Sequence, residues 1–354
     1  MRSFERVFCF GFHIFSLKID FREQLVYNIG SNWTERLKMK ITVLDRATLG
    51  EDTPISVLKE IGELLAYDKT APEELLERCA DSEILVLNKV KITREVMEKS
   101  KKLKLICVFA TGYDNIDIAA ARELGIAVTN VPGYSSDSVA LFTVSTVLAL
   151  VSHLFEYSAF VKNGEYQKQG VPNRLIPVYH EIKGKTWGII GYGGIGRAVA
   201  KIAEAFGARV IVNKRTPIQE AECVDIDTLC RESDIITVHC PLNENTRSLI
   251  NKDRINLMKD GVILVNEARG AVLNESDVRD AVLSGKIAAF GSDVYSIEPF
   301  PKDHPYNDIM GLDNVILTPH AAWGAYEARE RCINIILSNI KAFIQGKIQN
   351  RVEK

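Results

Sequence analysis

From Met39 onward, short continuous apolar runs alternate with amphipathic segments along the whole chain, and this alternation is what most limits the folds open to it. The runs predict strands at Ile41–Leu44, Ile84–Leu87, Leu105–Phe109, Ala127–Asn130, Thr186–Ile190, Arg209–Asn213, Ile235–His239, Val262–Asn266, Ala288–Asp293 and Val315–Thr318. Strands that are apolar at nearly every position are buried on both faces, which implies parallel sheets covered by helices, an α/β architecture. The clearest helix is predicted from Gly194 to Phe206, where Ile195, Val199, Ile202, Ala203 and Phe206 form one apolar stripe and Gly207 supplies the stop. At 354 residues the chain exceeds one comfortable core. With roughly 100–200 residues per domain, two similar α/β halves are expected. The break is expected where Pro132-Gly133-Tyr134-Ser135-Ser136-Asp137 ends the first sheet and Ser138 begins a long apolar helix, with Asp137 or Ser136 as its N-cap.

Charge and cysteine usage narrow the class of function. The 44 basic and 46 acidic side chains leave a formal charge of -2, and no Lys/Arg run forms a patch for phosphate backbones, so nucleic acid is not an expected partner. Seven cysteines (Cys9, Cys79, Cys107, Cys223, Cys230, Cys240, Cys332) are scattered without C-x-x-C spacing, which fits reduced thiols in a cytoplasmic setting. Val139 to Phe155 is uncharged and apolar, but Thr143, Ser145, Thr146, Ser152 and His153 interrupt it. It falls short of the roughly 20 apolar residues that cross a bilayer, so a long buried helix is expected and a membrane partner is not. Residues 1–38 read differently from the rest. Val7 to Phe15 imitates a signal-peptide core, yet no small-residue cleavage site follows. These residues are expected to be a non-native or disordered extension arising from start-codon choice. In a bacterial source, Glu35-Arg36 encoded as GAGAGG would be a ribosome-binding sequence just ahead of Lys38-Met39.

The run Gly191-Tyr192-Gly193-Gly194-Ile195-Gly196 follows the strand Thr186–Ile190 and opens the helix, the context in which a G-x-G-x-x-G turn binds a dinucleotide. Gly191 permits the tight turn, Gly193 lets the backbone approach a pyrophosphate, and Gly196 lets the helix press on the strand. The helix N-terminus offers unpaired N–H groups to the phosphates. About 20 residues on, a carboxylate would bind the adenosine ribose; instead Val212-Asn213-Lys214-Arg215-Thr216 offers two cations. Lys214 and Arg215 suit a 2′-phosphate and favour NADP, while solvated cations and a ribose held by Asn213 would leave NAD as the cofactor.

Three polar residues stand beyond successive apolar runs: Arg269 in Asn266-Glu267-Ala268-Arg269-Gly270, Glu298 in Asp293-Val294-Tyr295-Ser296-Ile297-Glu298-Pro299, and His320 in Leu317-Thr318-Pro319-His320. In an open α/β sheet, ligands sit outside the carboxyl ends of the strands, so residues placed there can converge. Reducing a 2-oxo acid needs a cation for the carboxylate, a proton donor for the ketone oxygen and a hydride source. Arg269 can grip a carboxylate with two parallel bonds, His320 can give a proton near neutral pH, and Glu298 can hold the imidazole in its protonated form. His239, in Thr237-Val238-His239-Cys240-Pro241-Leu242, is expected on the adenosine side; His13, His153, His180 and His304 are expected to be structural or solvated. No zinc-ligand spacing is present, and the chemistry requires no metal.

Four signatures in order, the glycine turn, N-x-A-R-G, D-V-x-x-x-E-P and T-P-H, resemble the D-2-hydroxyacid dehydrogenases over essentially all of Met39 to the end. The resemblance implies two Rossmann-like domains with parallel sheets, the nucleotide-binding domain (138–324) inserted into a discontinuous substrate-binding domain (39–137 and 325–354), with the final helix Ala325 to Ile344 returning to the first. It implies Arg269 as substrate anchor, Glu298 and His320 as the proton-transfer pair, and Asp293 near the nicotinamide carboxamide. Pro241 lies with His239 at the cofactor, and the loop Ala110-Thr111-Gly112-Tyr113-Asp114 receives the substrate carboxylate with backbone N–H groups. Domains that close on a small 2-oxo or 2-hydroxy acid, and homodimers through the long apolar helix, are also implied. Phe109 to Asp117, Asn130 to Ser135 and Pro319-His320-Ala321-Ala322-Trp323 look most like glycerate dehydrogenase/hydroxypyruvate reductase. Two departures stand out: Leu141-Phe142 replace a common Gln-His, and Glu267 places a carboxylate two residues from Arg269, where it would compete with substrate if the spacing puts both on one strand face and Glu267 reaches Arg269. Two rivals remain at this level. One is a dinucleotide-sensing corepressor-like protein without turnover. The other, formate dehydrogenase, would require Gln where Glu298 stands. Loops such as Asn88-Lys89-Val90 are expected to set the pocket's size.

Overall fold

The computed structural model describes residues 39–216 and 218–354, and the reading of residues 1–38 as an extension lies outside the described residues. Among the described residues, twelve strands form two sheets. The first contains β1 (Met39–Val43), β2 (Gly62–Ala66), β3 (Ile84–Leu87), β4 (Leu105–Val108) and β5 (Ala127–Thr129), in the order β2-β1-β3-β4-β5. The second contains β6 (Thr186–Ile190), β7 (Arg209–Asn213), β8 (Glu222–Cys223), β9 (Ile235–Val238), β10 (Val262–Asn266), β11 (Ile287–Ser292) and β12 (Val315–Leu317), in the order β12-β11-β10-β9-β6-β7-β8. Every pairing between them is parallel, as continuous apolar strands require when helices cover both faces.

Two strands were not expected from the pattern, and both are edges. β2 reads Gly-Glu-Leu-Leu-Ala and has no fully buried residue, while β8 is two residues long. Neither carries the doubly buried apolar run that marks an interior strand.

The helix predicted to begin at Ser138 spans Ser136–Val151 instead, with Ser135 at the N-cap position and no side-chain cap. Ser136 is not the cap because its hydroxyl turns back to Gly133 O at 3.3 Å. Asp137 lies in the first turn, where its charge favours the helix dipole without capping it. The apolar stretch is also not one helix. His153 adopts φ 49, and a second helix, Leu154–Lys162, leaves at 63° to the first. The Ser152 hydroxyl donates to Leu148 O at 2.6 Å, so a side chain competes for the carbonyl groups at the end of the first helix. Among the described residues no single helix is long and apolar enough to cross a membrane; only this bent pair reaches that length, and its first arm packs Ala140, Val144, Val147 and Leu150 into the core of the second sheet.

The last helix, Tyr326–Ile344, returns to the first sheet, laying Ala328, Cys332, Ile333, Ile336 and Ile340 against Met39, Ile41, Val43, Ile84 and Leu105. Each sheet is therefore sandwiched between apolar clusters, with the loops after its strands left to build a site.

Candidate active site

β6 lies between β9 and β7, so the chain leaves it in one direction and later returns on the other side, and a crevice opens at that reversal. The glycine turn sits there. Gly191 has φ 95, and a Cβ on it would strike the backbone of His239 and Cys240; a Cβ on Gly196 would strike Gly191 O. Gly194 lies against the Ser136 hydroxyl, whereas a Cβ on Gly193 would meet nothing within 4 Å. The turn is thus packed tightly below and open above, at the N-terminus of the helix Gly194–Ala205. These features fit a dinucleotide pyrophosphate.

A cleft of about 900 Å³ runs from this turn across the carboxyl ends of both sheets. Of the residues singled out in the sequence, Thr111, Gly112, Tyr113, Gly193, Gly194, Ile195, His239, Pro241, Arg269, Asp293, Glu298 and His320 line it. Gly191 and Gly196 lie beneath the turn. Lys214 and Arg215 lie just past β7 and outside the cleft lining, the first half-buried and the second exposed.

Arg269 follows β10. Its Nη1 donates to Ala268 O at 2.8 Å, and its Nε lies 3.7 Å from an Asp114 carboxylate oxygen. The guanidinium fills the space that a side chain at position 112 would need, so Gly112 brings the 110–114 loop against it. That loop is held by Thr111 Oγ1 donating to Val131 O at 2.9 Å and by Asn130 Nδ2 donating to Thr111 O at 2.8 Å.

Glu267 does not reach Arg269, so the condition under which it would compete with substrate is not met. The chain leaves strand geometry after Asn266, whose side chain accepts from Ala268 N at 3.1 Å and donates to Arg269 O at 3.0 Å. Glu267 is buried in the cleft wall. Its Oε2 is buried without a partner among the described residues, and burial, with the nearby Asp293 charge, pushes its carboxyl up to about 9. At neutral pH it is uncharged.

His320 stands past β12 at φ 54, a left-handed conformation that costs energy outside glycine. Asp293, buried at the end of β11, holds it there: its carboxylate accepts from Thr318 Oγ1 at 2.7 Å, Ala321 N at 2.8 Å and Ala322 N at 2.9 Å. His320 Nδ1 donates to Glu298 Oε2 at 2.7 Å. The other Glu298 oxygen accepts from Tyr295 N at 3.1 Å. Burial raises the Glu298 carboxyl, but the imidazole, the Tyr295 amide and Lys89 outweigh it and hold the group below the usual carboxylate range. With Nδ1 committed, Nε2 is the ring nitrogen left for a substrate.

His239 is neutral at physiological pH, since burial drops it to about 3, and both ring nitrogens are shielded without partners among the described residues. His304 is structural. Its Nδ1 accepts from Tyr306 N, so Nε2 carries the proton donated to Glu275 at 2.9 Å. Glu275 also accepts from Ser296 N at 2.8 Å and from the Ser296 hydroxyl, which anchors the loop bearing Glu298. Sequence reasoning missed Glu275, and it gave Lys89 no chemical part. Nothing in the local pattern of Glu275 separates it from an ordinary first-turn acid; Lys89 stands two residues past the end of β3, the kind of position that found Arg269.

A switch-point glycine turn facing a cleft with an arginine and a carboxylate-supported imidazole fits a nicotinamide-dinucleotide-dependent oxidoreductase. Comparisons agree. Residues 144–322 match the family described as D-isomer specific 2-hydroxyacid dehydrogenase, NAD binding domain. A hydroxypyruvate reductase of Blautia hydrogenotrophica is 38% identical over 327 residues, covering 89% of this chain and 100% of the relative. A glycerate dehydrogenase of Methylorubrum extorquens is 36% identical over 315 residues, covering 89% and 99%. Among solved structures, a D-lactate dehydrogenase from Aquifex aeolicus, complexed with NAD and lactic acid, superposes with a TM-score of 0.78 at 30% identity, covering 89% and 99%. The chain belongs to the D-isomer-specific 2-hydroxyacid dehydrogenase family. It is an oxidoreductase acting on CH–OH groups, interconverting 2-oxo and D-2-hydroxy acids with a nicotinamide dinucleotide. None of these relatives favours the corepressor-like reading.

Proposed function

We propose that the protein is a hydroxypyruvate/glyoxylate reductase (glycerate dehydrogenase) in which Arg269, Glu298 and His320 carry the reaction. The observation that supports this best is the 2.7 Å bond between His320 and Glu298 in the same cleft as Arg269 and the open Gly193. Arg269 grips the substrate carboxylate, assisted by backbone N–H groups of Thr111, Gly112 and Tyr113. His320 Nε2 then gives a proton to the oxygen on C2, and Glu298 stabilises the imidazolium. A bound reduced nicotinamide supplies the hydride to C2. The turn Gly191–Gly196, with Ile195, His239 and Pro241, would hold that cofactor. Asp293, already committed to three donors, acts mainly by fixing the His320 loop. Domains 39–137 with 325–354, and 138–324, close around the substrate, excluding water and aligning the reactants.

Lys214 and Arg215 support a preference for NADP, because cations stand where a ribose-binding carboxylate would otherwise be. Leu154, Phe155, Leu175, Ile176, Val178 and Tyr179 are large apolar side chains left exposed, which supports a homodimer. Buried thiols of Cys79, Cys107, Cys230 and Cys332 suit a reducing cytoplasm. The test is a panel of glyoxylate, hydroxypyruvate, pyruvate and bulkier 2-oxo acids, each with NADH and NADPH. Consumption of reduced nicotinamide with hydroxypyruvate or glyoxylate, at a lower KM for NADPH, is the expected result. Consumption with none of the acids would defeat the reductase reading, and a strong NADH preference would defeat the NADP reading alone.

A further inference from the structure

The loop after β3 is fixed at its backbone and loose at one side chain. The N–H groups of Asn88, Lys89 and Val90 all donate to the carboxylate of Asp45, at 3.0, 2.6 and 3.1 Å. Asp45 is buried just past the end of β1. Three consecutive donors on one anion lock the main chain. Asn115 Nδ2 adds bonds to Asn88 O at 3.2 Å and Val90 O at 2.8 Å. From this anchored backbone the Lys89 side chain, about half exposed, extends into the cleft.

Its ammonium lies 3.4 Å from His320 Nδ1 and 3.6 Å from Glu298 Oε2. Neither contact satisfies its donors. Nδ1 already donates to Glu298 and cannot accept as well, and 3.6 Å is an ionic contact rather than a hydrogen bond. Lys89 and Arg269 are the only Lys or Arg among the described residues that line the cleft. If Arg269 takes the carboxylate, a second cation with unused N–H groups remains in the same cleft, beside the His320–Glu298 pair. Glyoxylate and pyruvate offer it no acceptor beyond the carboxylate and the C2 oxygen.

We propose that Lys89 reads an oxygen substituent on C3, so that the site selects 3-oxygenated 2-oxo acids over those bearing hydrogen or methyl. This rests on the reductase reading above and specifies its substrate class. A site built to bond a substrate oxygen discriminates against the analogue that lacks it, because the polar group is then left unpaired.

Hydroxypyruvate and pyruvate differ by that one oxygen, and the ratio of their kcat/KM values is the test. In the wild type hydroxypyruvate is expected to be preferred by about 10-fold or more, the scale of a hydrogen bond to a charged donor. Lys89→Met is expected to bring the ratio within roughly threefold of unity, while Lys89→Arg keeps most of the preference. An unchanged ratio in Lys89→Met, whatever happens to the overall rate, would overturn the proposal and leave Lys89 acting only through Glu298 and His320. A wild type indifferent to the C3 oxygen would overturn it too. Wild-type protein inactive on every 2-oxo acid would instead remove the reductase reading beneath it.

Discussion

The ends of β10 and β11 bury two carboxyl groups side by side and treat them in opposite ways. Asp293 accepts from one hydroxyl and two backbone amides, whereas Glu267 has one oxygen with no partner among the described residues. Burial raises both groups. At Asp293 the bonds from Ala322, Thr318 and Ala321 work against that rise; at Glu267 nothing does, and the Asp293 charge adds to it. Burial alone therefore does not decide whether an acid is a working anion in this protein. Donors do. Asp293 spends its charge on bending the chain at His320, and Glu267 stays neutral beside the arginine it resembles a partner for.

Breaking the satisfied side should have the largest effect. Asp293→Ala leaves two buried amides and a hydroxyl without their acceptor and frees the strained His320 loop. It is expected to lower stability by about 3 kcal/mol and turnover by at least about 10-fold, read by denaturant melts and steady-state rates. A variant as stable and active as the wild type would show that the three bonds do not hold His320. On the unsatisfied side the sign reverses. The folded Glu267 carboxyl is raised to about 9 from an ordinary 4.5, so its contribution is fully favourable below 4.5 and is lost as pH climbs through 9. Glu267→Gln cannot ionise in either state. The cofactor-free variant should gain on the order of 2 kcal/mol over wild type at pH 7, with the advantage growing between pH 5 and 9. Equal stabilities across that range would mean that Glu267 is charged or solvated. The smallest change should come from Thr318→Val, which removes one donor from Asp293 and moves it a step toward the condition of Glu267. A loss of about 1 kcal/mol is expected in thermal melts, and no loss would make the hydroxyl bond incidental.

The same contrast marks how far the sequence could be read. Ile84–Leu87, Thr186–Ile190, Arg209–Asn213 and Val262–Asn266 were legible to the residue, because interior parallel strands write a continuous apolar run. β2 and β8 were not, since edge strands need no such run, and neither was the bend at His153, which depends on one backbone conformation inside an apolar stretch. Arg269, Glu298 and His320 were findable because each follows a strand or its adjoining loop, and topology sends those ends to one cleft. The direction of Glu267 was left open by the sequence for a related reason. Its two-residue spacing from Arg269 implies a shared face only while the chain remains a strand, and the Asn266 side chain ends that geometry. The placements of Glu275 against Ser296, of Asp45 under Lys89 and of Asp293 under Ala321 join residues from 21 to 44 positions apart, which no local pattern records.

Proton donation by His320, with Nδ1 held by Glu298 and Nε2 left for the substrate, is the central proposal. His320→Ala should cut kcat for hydroxypyruvate reduction by at least about 100-fold while reduced cofactor binds with wild-type affinity in a fluorescence titration. A variant whose kcat stays within a few fold of wild type would contradict it.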